Sequence, residues 1–243
     1  MAYKLEIIGF NIESCINAQE AGANRIELCA SPGEGGTTPS YGFIKAAREK
    51  LNIELYVMIR PRGGDFLYSD EEFDIMKNDI LICKQLGCDG IVTGVLTADG
   101  KVDKKRCKTL IEYAYPLEAT FHRAFDRVNE PFEALEEIIS LGFERILTSG
   151  LKPKALDGKE TLAKLIKQSA DRIIIMPGSG INSQNIISIV ESTGAKEFHS
   201  SASFYSESKM LYENSRMNES LKHITVDKEE VALMASLLKS TDD

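Results

Sequence analysis

Short apolar runs bounded by turn residues alternate along the chain with longer stretches whose apolar positions recur at spacings of three and four. The runs are Lys4 to Gly9, Arg25 to Cys29, Ile53 to Arg60, Gly90 to Val95, Leu117 to His122, Arg145 to Thr148, Arg172 to Met176 and Glu197 to Ser200. Runs this short, with turn residues on either side, predict strands. The intervening stretches predict helices over 12–21, 42–50, 70–86, 104–113, 132–141, 160–169, 183–192 and 228–238. In the third of these, Phe73, Met76, Ile80, Cys83 and Leu86 form one amphipathic stripe. Asn182 and Asp227 stand where N-caps are expected, and Gly22, Gly87, Gly142 and Gly194 where helices should stop.

Strict alternation of strand and helix calls for a parallel sheet, because each parallel pair needs a crossover. Eight such units in 243 residues match an α/β fold of the (β/α)8 TIM-barrel type better than a doubly wound open sheet. No linker or composition shift divides the chain, so residues 1–243 are read as a single domain. The polar, aromatic-spotted segment 202–218 is expected to be an elaborated loop or extra short helix before the last helix.

Charge and cysteine usage narrow the function classes. With 29 Lys+Arg against 37 Asp+Glu the net charge is −8, which argues against a sequence-independent nucleic-acid binder. No apolar stretch is long enough for a bilayer span, and the first residues carry no hydrophobic signal region. Five cysteines without a C-x-x-C pair suit reduced thiols in a cytoplasmic protein.

Barrel chemistry sits at the C-terminal ends of strands. Applied here, with alternation selecting inward positions, that rule gathers Glu6, Glu27, Arg60, His122 and His199 at one rim. These are either a buried ion-pair layer or a binding site; two of only three histidines beside two carboxylates favour the site. Glu27, Arg60, His122 and His199 are the catalytic candidates. Glu6, Arg62, Asp65 and Arg123 join them as binding candidates. After the seventh run, Gly178-Ser179-Gly180 opens a predicted helix, and Ser200-Ser201 follows the eighth. Loops seven and eight are the usual phosphate position in such barrels, so both are read as anion-binding. Cys29, with His122, His199, Met58 and Met176, offers soft ligands for a metal such as Cu(I). Met58 and Met176 are read as core filler, and Cys83, Cys88 and Cys107 as buried small hydrophobes.

The stretches Glu27-Leu28-Cys29, Glu34 to Ser40 (EGGTTPS), Ile59 to Tyr68 (IRPRGGDFLY), Thr120 to Asp126 (TFHRAFD), Leu147 to Gly150 (LTSG) and His199 to Ala202 (HSSA) resemble the CutC family of copper-homeostasis proteins. The resemblance runs over nearly the whole chain. It implies a TIM barrel, a cytosolic location, a homodimer or homotetramer, and a role in copper handling, with Cu(I) binding proposed for some members; Cys29 is the candidate metal ligand here. The first-strand cysteine of members with a proposed copper site is replaced here by Ile8. Copper(I) is therefore a candidate ligand that the sequence does not require. The alternative is an enzyme acting on a small phosphorylated or carboxylated metabolite; no nucleic-acid or membrane partner is expected.

Overall fold

The computed structural model describes residues 3–241; the ends of the single-domain span, 1–2 and 242–243, lie outside the described residues. The elements run β1 (Lys4–Gly9), α1 (Ile12–Glu20), β2 (Arg25–Leu28), α2 (Tyr41–Lys50), β3 (Glu54–Met58), α3 (Asp70–Gln85), β4 (Gly90–Thr93), α4 (Lys104–Ala114), β5 (Glu118–Phe121), α5 (Pro131–Leu141), β6 (Arg145–Thr148), α6 (Lys159–Ser169), β7 (Ile174–Pro177), α7 (Ile186–Thr193), β8 (Glu197–Ser200), β9 (Ser203–Ser206), β10 (His223–Val226) and α8 (Lys228–Thr241). Strands β1 to β8 form one parallel sheet in the order β7-β6-β5-β4-β3-β2-β1-β8. That is the order of a (β/α)8 barrel opened at one seam. β7 and β8 are the ends of the ladder, and among the described residues no ladder joins them. Gly178 lies at this seam: a Cβ there would stand 3.3 Å from His199 Cβ and 2.4 Å from Leu147 Cδ1. No helix among the described residues is long and apolar enough to cross a membrane.

Strand alternation sorts the buried residues into two bodies. Leu5, Ile7, Ile26, Leu28, Val57 and Phe198 point outward into the main apolar layer beneath the helices. The second cluster, Ile8, Cys29, Tyr56, Met58 and Val92, lies inside the barrel and is small. Much of the rest of the interior is ionic. At its floor Arg25 donates to Glu197 Oε2 at 2.5 Å and to Glu54 Oε2 at 3.1 Å. Arg145 donates to the same Glu197 oxygen at 2.8 Å and pairs with Glu118 at 2.8 Å. The Tyr56 ring lies 4.7 Å from Arg25 Cζ and 5.2 Å from Arg145 Cζ, and its hydroxyl donates to Glu118. Gly90 makes room for that ring, since a Cβ there would come within 2.5 Å of Tyr56 Cε2. Two guanidiniums hold the ring, so it cannot swing aside. Gly90→Ala is expected to destabilise the protein by about 1–3 kcal/mol. Urea unfolding checks this, and a loss below half a kcal/mol would mean the ring gives way freely.

The caps follow the local chemistry. Asp227 accepts the N–H groups of Glu229 and Glu230 at the start of α8, and Gly142 and Gly194 close α5 and α7 in left-handed conformations. Asn182 does not cap α7, which starts three residues after the expected position 183. The N–H and hydroxyl of Ser183 are instead taken by the Glu230 carboxylate of α8, at 2.6 and 2.9 Å. The segment 202–218 is not simply a loop or short helix. It begins with β9, which pairs antiparallel with β10; Phe204 and Tyr205 of this ribbon and Leu211 and Tyr212 of the connecting segment are exposed.

Candidate functional site

Three adjacent strands bring the central group together. Glu6 on β1 is directly paired with His199 on β8, and Glu27 on β2 is paired with Ile8, two residues further along β1. His199 Nδ1 lies 2.7 Å from Glu6 Oε1, and its Nε2 lies 3.8 Å from Glu27 Oε2. Arg25 Nη1 approaches Glu6 Oε2 at 3.4 Å from below. Just past β2, the Cys29 thiol donates to Glu27 Oε2 at 3.6 Å. All of these side chains are buried.

Burial alone would raise both carboxyls, yet they part company. For Glu6 the Arg25 guanidinium and His199 outweigh burial, holding it below the usual carboxylate range. Glu27 is pushed up to about 7 by burial, with the Glu6 charge adding to it and His199 opposing it. Burial works against His199, but the Glu27 and Glu6 carboxylates raise it overall. Burial, then Glu27, drives the Cys29 thiol well above its ordinary value. Two carboxyls with pKa values forced apart, one near neutrality, can hold and exchange a proton at physiological pH.

His122, just past β5, behaves differently. Its Nδ1 accepts from the Ala124 N–H at 3.3 Å, which leaves the proton on Nε2, a buried donor with no partner. Burial, with Arg60 beside it, brings this ring down to about 3, so it is neutral. The ring packs on Phe66, centroids 4.8 Å apart. Gly94 leaves it space, because a Cβ there would meet His122 Nδ1 at 2.9 Å.

Arg60, also buried, ties two loops together through the carbonyls of Glu34, Gly36 and Gly64 at 2.7–2.9 Å. Among the described residues it makes no carboxylate ion pair, so its charge is left for the mouth of the barrel. Arg123 is half-exposed; it donates to Asp126 and Ser149 at 2.8 and 3.0 Å through Nε and Nη2. Asp126 in turn accepts from Thr148 Oγ1 and the Ser149 N–H, bracing the β5 loop against the β6 loop.

Glu27, Arg60, His122, Arg123 and His199 line a cavity of about 320 Å³ together with Met58, Gly180 and Ser201, whereas Glu6 does not line it. Arg60, Phe66, Gly35 and Arg123 also line a wider outer chamber of about 740 Å³, where Asp65 and Arg127 stand.

Not every expected residue reaches the chamber. Arg62 turns away to Asp65 and to Glu72 of α3, at 3.0 and 2.6 Å, so it supports a loop and a helix start. Asp65 reaches only the outer chamber. Ser200 follows inward-facing His199 and therefore faces outward, where it donates to the Ile181 carbonyl at 2.6 Å. Gly178 is closed off by Leu147 and His199. Ser179 and Gly180 do line the cavity, both with positive φ. They do not open a helix, because α7 starts only at Ile186, so no helix dipole supports them. The alternation missed Phe66, on the loop after β3, and Asp126 and Arg127, in a short 3-10 helix after β5, all beyond the reach of strand periodicity.

Comparison with known proteins places these features in context. A model of the CutC family matches residues 3–204. The human copper homeostasis protein cutC homolog is 49% identical over 213 residues, covering 88% of this chain and 78% of the human protein. A CutC family protein of Vibrio vulnificus is 51% identical over 214 residues, 87% of this chain and 86% of its own. The crystal structure of a CutC protein from Streptococcus agalactiae superposes with a TM-score of 0.78 at 35% identity, covering 82% of this chain and 98% of that one.

Proposed function

The chain belongs to the CutC family, and from that premise we propose that it serves in cellular copper handling through a ligand-binding barrel mouth whose ligand is a small phosphorylated or carboxylated anion. The observation that carries the anion reading is an excess of donors over acceptors above the carboxylate floor. Arg60 brings a buried charge with no carboxylate partner, His122 Nε2–H is unpartnered, and Arg123 has Nη1 to spare. The backbone N–H groups of Ser179 and Gly180 donate to nothing among the described residues. Donors preset in a buried cavity favour an incoming oxyanion. The cavity also falls within the size range of small-molecule sites.

Copper(I) itself fits this chamber poorly. Its soft donors are one thiol, Cys29, and one thioether, Met58, which converge near Gly36: a Cβ there would lie 3.2 Å from Cys29 Sγ and 3.6 Å from Met58 Cε. The thiol is held protonated, and the neighbouring interior position that could supply a second sulfur is Ile8. Cu(I) is selected by thiolates and thioethers, and here only one of each is present. The copper role is thus read as one exercised through a metabolite. Five free, buried cysteines suit a cytoplasmic protein, and the exposed aromatics of the β9–β10 ribbon suit a homodimer or homotetramer.

The test is calorimetric titration of the full chain with inorganic phosphate and with ribose 5-phosphate, beside a Cu(I) titration against a competing chelator. One equivalent of the phosphosugar should bind, and Arg123→Gln should weaken it roughly tenfold or more, the worth of one charge-assisted bond. Cys29→Ala should leave it unchanged. The reading fails if no anion binds while one Cu(I) does and is lost in Cys29→Ala.

A further inference from the structure

We infer that Glu6, Glu27 and His199 form a binding site for one divalent cation of the manganese, iron and zinc class. The site lies below the anion-binding donors and stands without them, so it does not depend on the anion reading. One ligand atom from each of the three residues lies within 4.8 Å of the other two, and all three side chains are buried. The atoms come from adjacent strands of the barrel wall, with Glu6 directly paired to His199. Backbone ladders therefore hold the set in place rather than loops.

Independent of that proximity, the carboxylates have lone pairs to spare. Glu27 Oε1 is a buried side-chain atom without a hydrogen-bond partner; Glu6 Oε2 has none either, though it faces Arg25 Nη1 at 3.4 Å. Buried oxygens are nearly always satisfied, and an unsatisfied one points to a missing water or ion. The gap of 3.8 Å between His199 Nε2 and Glu27 Oε2 is too long for a hydrogen bond. Two ligands on one ion with bonds near 2.1 Å stand about 3–3.5 Å apart, so a slight rotation of either side chain closes the site.

The imidazole is already aimed. Glu6 Oε1 at 2.7 Å fixes Nδ1 and presents Nε2 to Glu27, the way a carboxylate behind a metal-bound histidine sets its orientation and basicity. Binding an ion would displace the protons of Glu27 and His199, leaving two carboxylates and a neutral imidazole whose charge Arg25, 3.4 Å from Glu6, offsets only in part. Oxygen donors with one imidazole disfavour Cu(I). Mg²⁺ keeps several waters and seldom takes a nitrogen ligand, so manganese, iron and zinc remain. Glu27 and His199 open onto the cavity that His122 and Ser201 also line, so a further ligand would reach a bound ion from there.

The experiment uses metal-stripped full-length protein dialysed against Mn²⁺ or Zn²⁺. Bound metal is measured by elemental analysis, and for Mn²⁺ by loss of the free-ion EPR signal. One equivalent per chain is expected. Glu27→Gln and His199→Gln should each weaken binding by about a hundredfold or more, while Cys29→Ser keeps it. Circular dichroism checks that each variant is folded. If both fail to fold, spin-echo modulation from a coordinated nitrogen in the wild-type Mn²⁺ complex decides, because only a bound imidazole gives it. Absence of stoichiometric binding or of that nitrogen signal overturns the inference, as does binding that survives Glu27→Gln but is lost in Cys29→Ser. Phosphate titration of the metal-free protein is read separately, so a failed cation site leaves the anion result intact, and the reverse.

Discussion

Replacing Arg25 by methionine is expected to destabilise the protein by about 3–5 kcal/mol, the usual cost of stranding a buried charge by deleting its partner. Arg25 is fully buried and compensates three carboxylates at once: Glu197 at 2.5 Å, Glu54 at 3.1 Å and Glu6 at 3.4 Å. Glu197 would keep Arg145 at 2.8 Å, and Glu54 would keep Lys4 at 2.7 Å. Glu6 would keep only His199. Its carboxyl, now held low mainly by the Arg25 charge against burial, would then rise and take up a proton. Methionine matches much of the arginine stem in shape, so packing loss contributes little. Urea denaturation of the two proteins side by side gives the difference, and a loss under 1 kcal/mol would show that the interior ion pairs contribute nothing net to the fold.

Acid should weaken the protein through His122. In the unfolded chain an imidazole takes a proton near pH 6.5, whereas in the fold burial, aided by Arg60, holds this one down to about 3. Between those two values the unfolded chain binds a proton that the native ring refuses. Stability from this group is therefore intact above about pH 6.5, falls as the pH drops, and stops falling near pH 3. The whole excursion amounts to roughly 4–5 kcal/mol. His122→Gln removes the titrating group, so its stability should fall less steeply than wild type between pH 6.5 and 4. The carboxylates common to both proteins cancel in the comparison. The imidazole NMR resonances of His122 should stay flat over the same range; a midpoint near 6.5 would contradict the neutral, buried ring.

Both effects come from one feature of the fold. Much of the barrel interior is occupied by charges and imidazoles where a layered aliphatic core is the common solution, and the apolar cluster that packs there, Ile8, Cys29, Tyr56, Met58 and Val92, is small. An interior of this kind is costly to build unless each charge finds a partner. At the floor every one does. At the mouth several do not, and those unpaired atoms belong to the groups to which ligand binding is assigned.

Much of this was legible in the chain and some was not, for identifiable reasons. The eight strand runs and the rule that reactive residues sit at strand C-termini brought Glu6, Glu27, His122 and His199 to one rim. The same alternation that turns His199 inward turns Ser200 outward onto the Ile181 carbonyl, against the anion-binding role the sequence suggests for it. Arg62 and Asp65 could not be placed: they lie on the loop after β3, where no periodicity fixes direction, and the first turn of α3 draws Arg62 away. The late start of α7 depended on Glu230, 47 residues further along, and the β9–β10 ribbon on a pairing partner that no local pattern announces.

The sequence by itself determined the alternation of strand and helix, the face each strand residue shows and the short list of reactive groups. Those properties follow from a backbone period of two or 3.6 residues, which operates within a few neighbours. Only the tertiary structure decided that Glu6 would meet His199 across 193 positions, that Arg25 would ionise Glu6 while Glu27 is raised toward neutrality, and which donors would be left without partners. Ring closure sets those distances and burial sets the dielectric around them, and neither is encoded in any window of neighbouring residues.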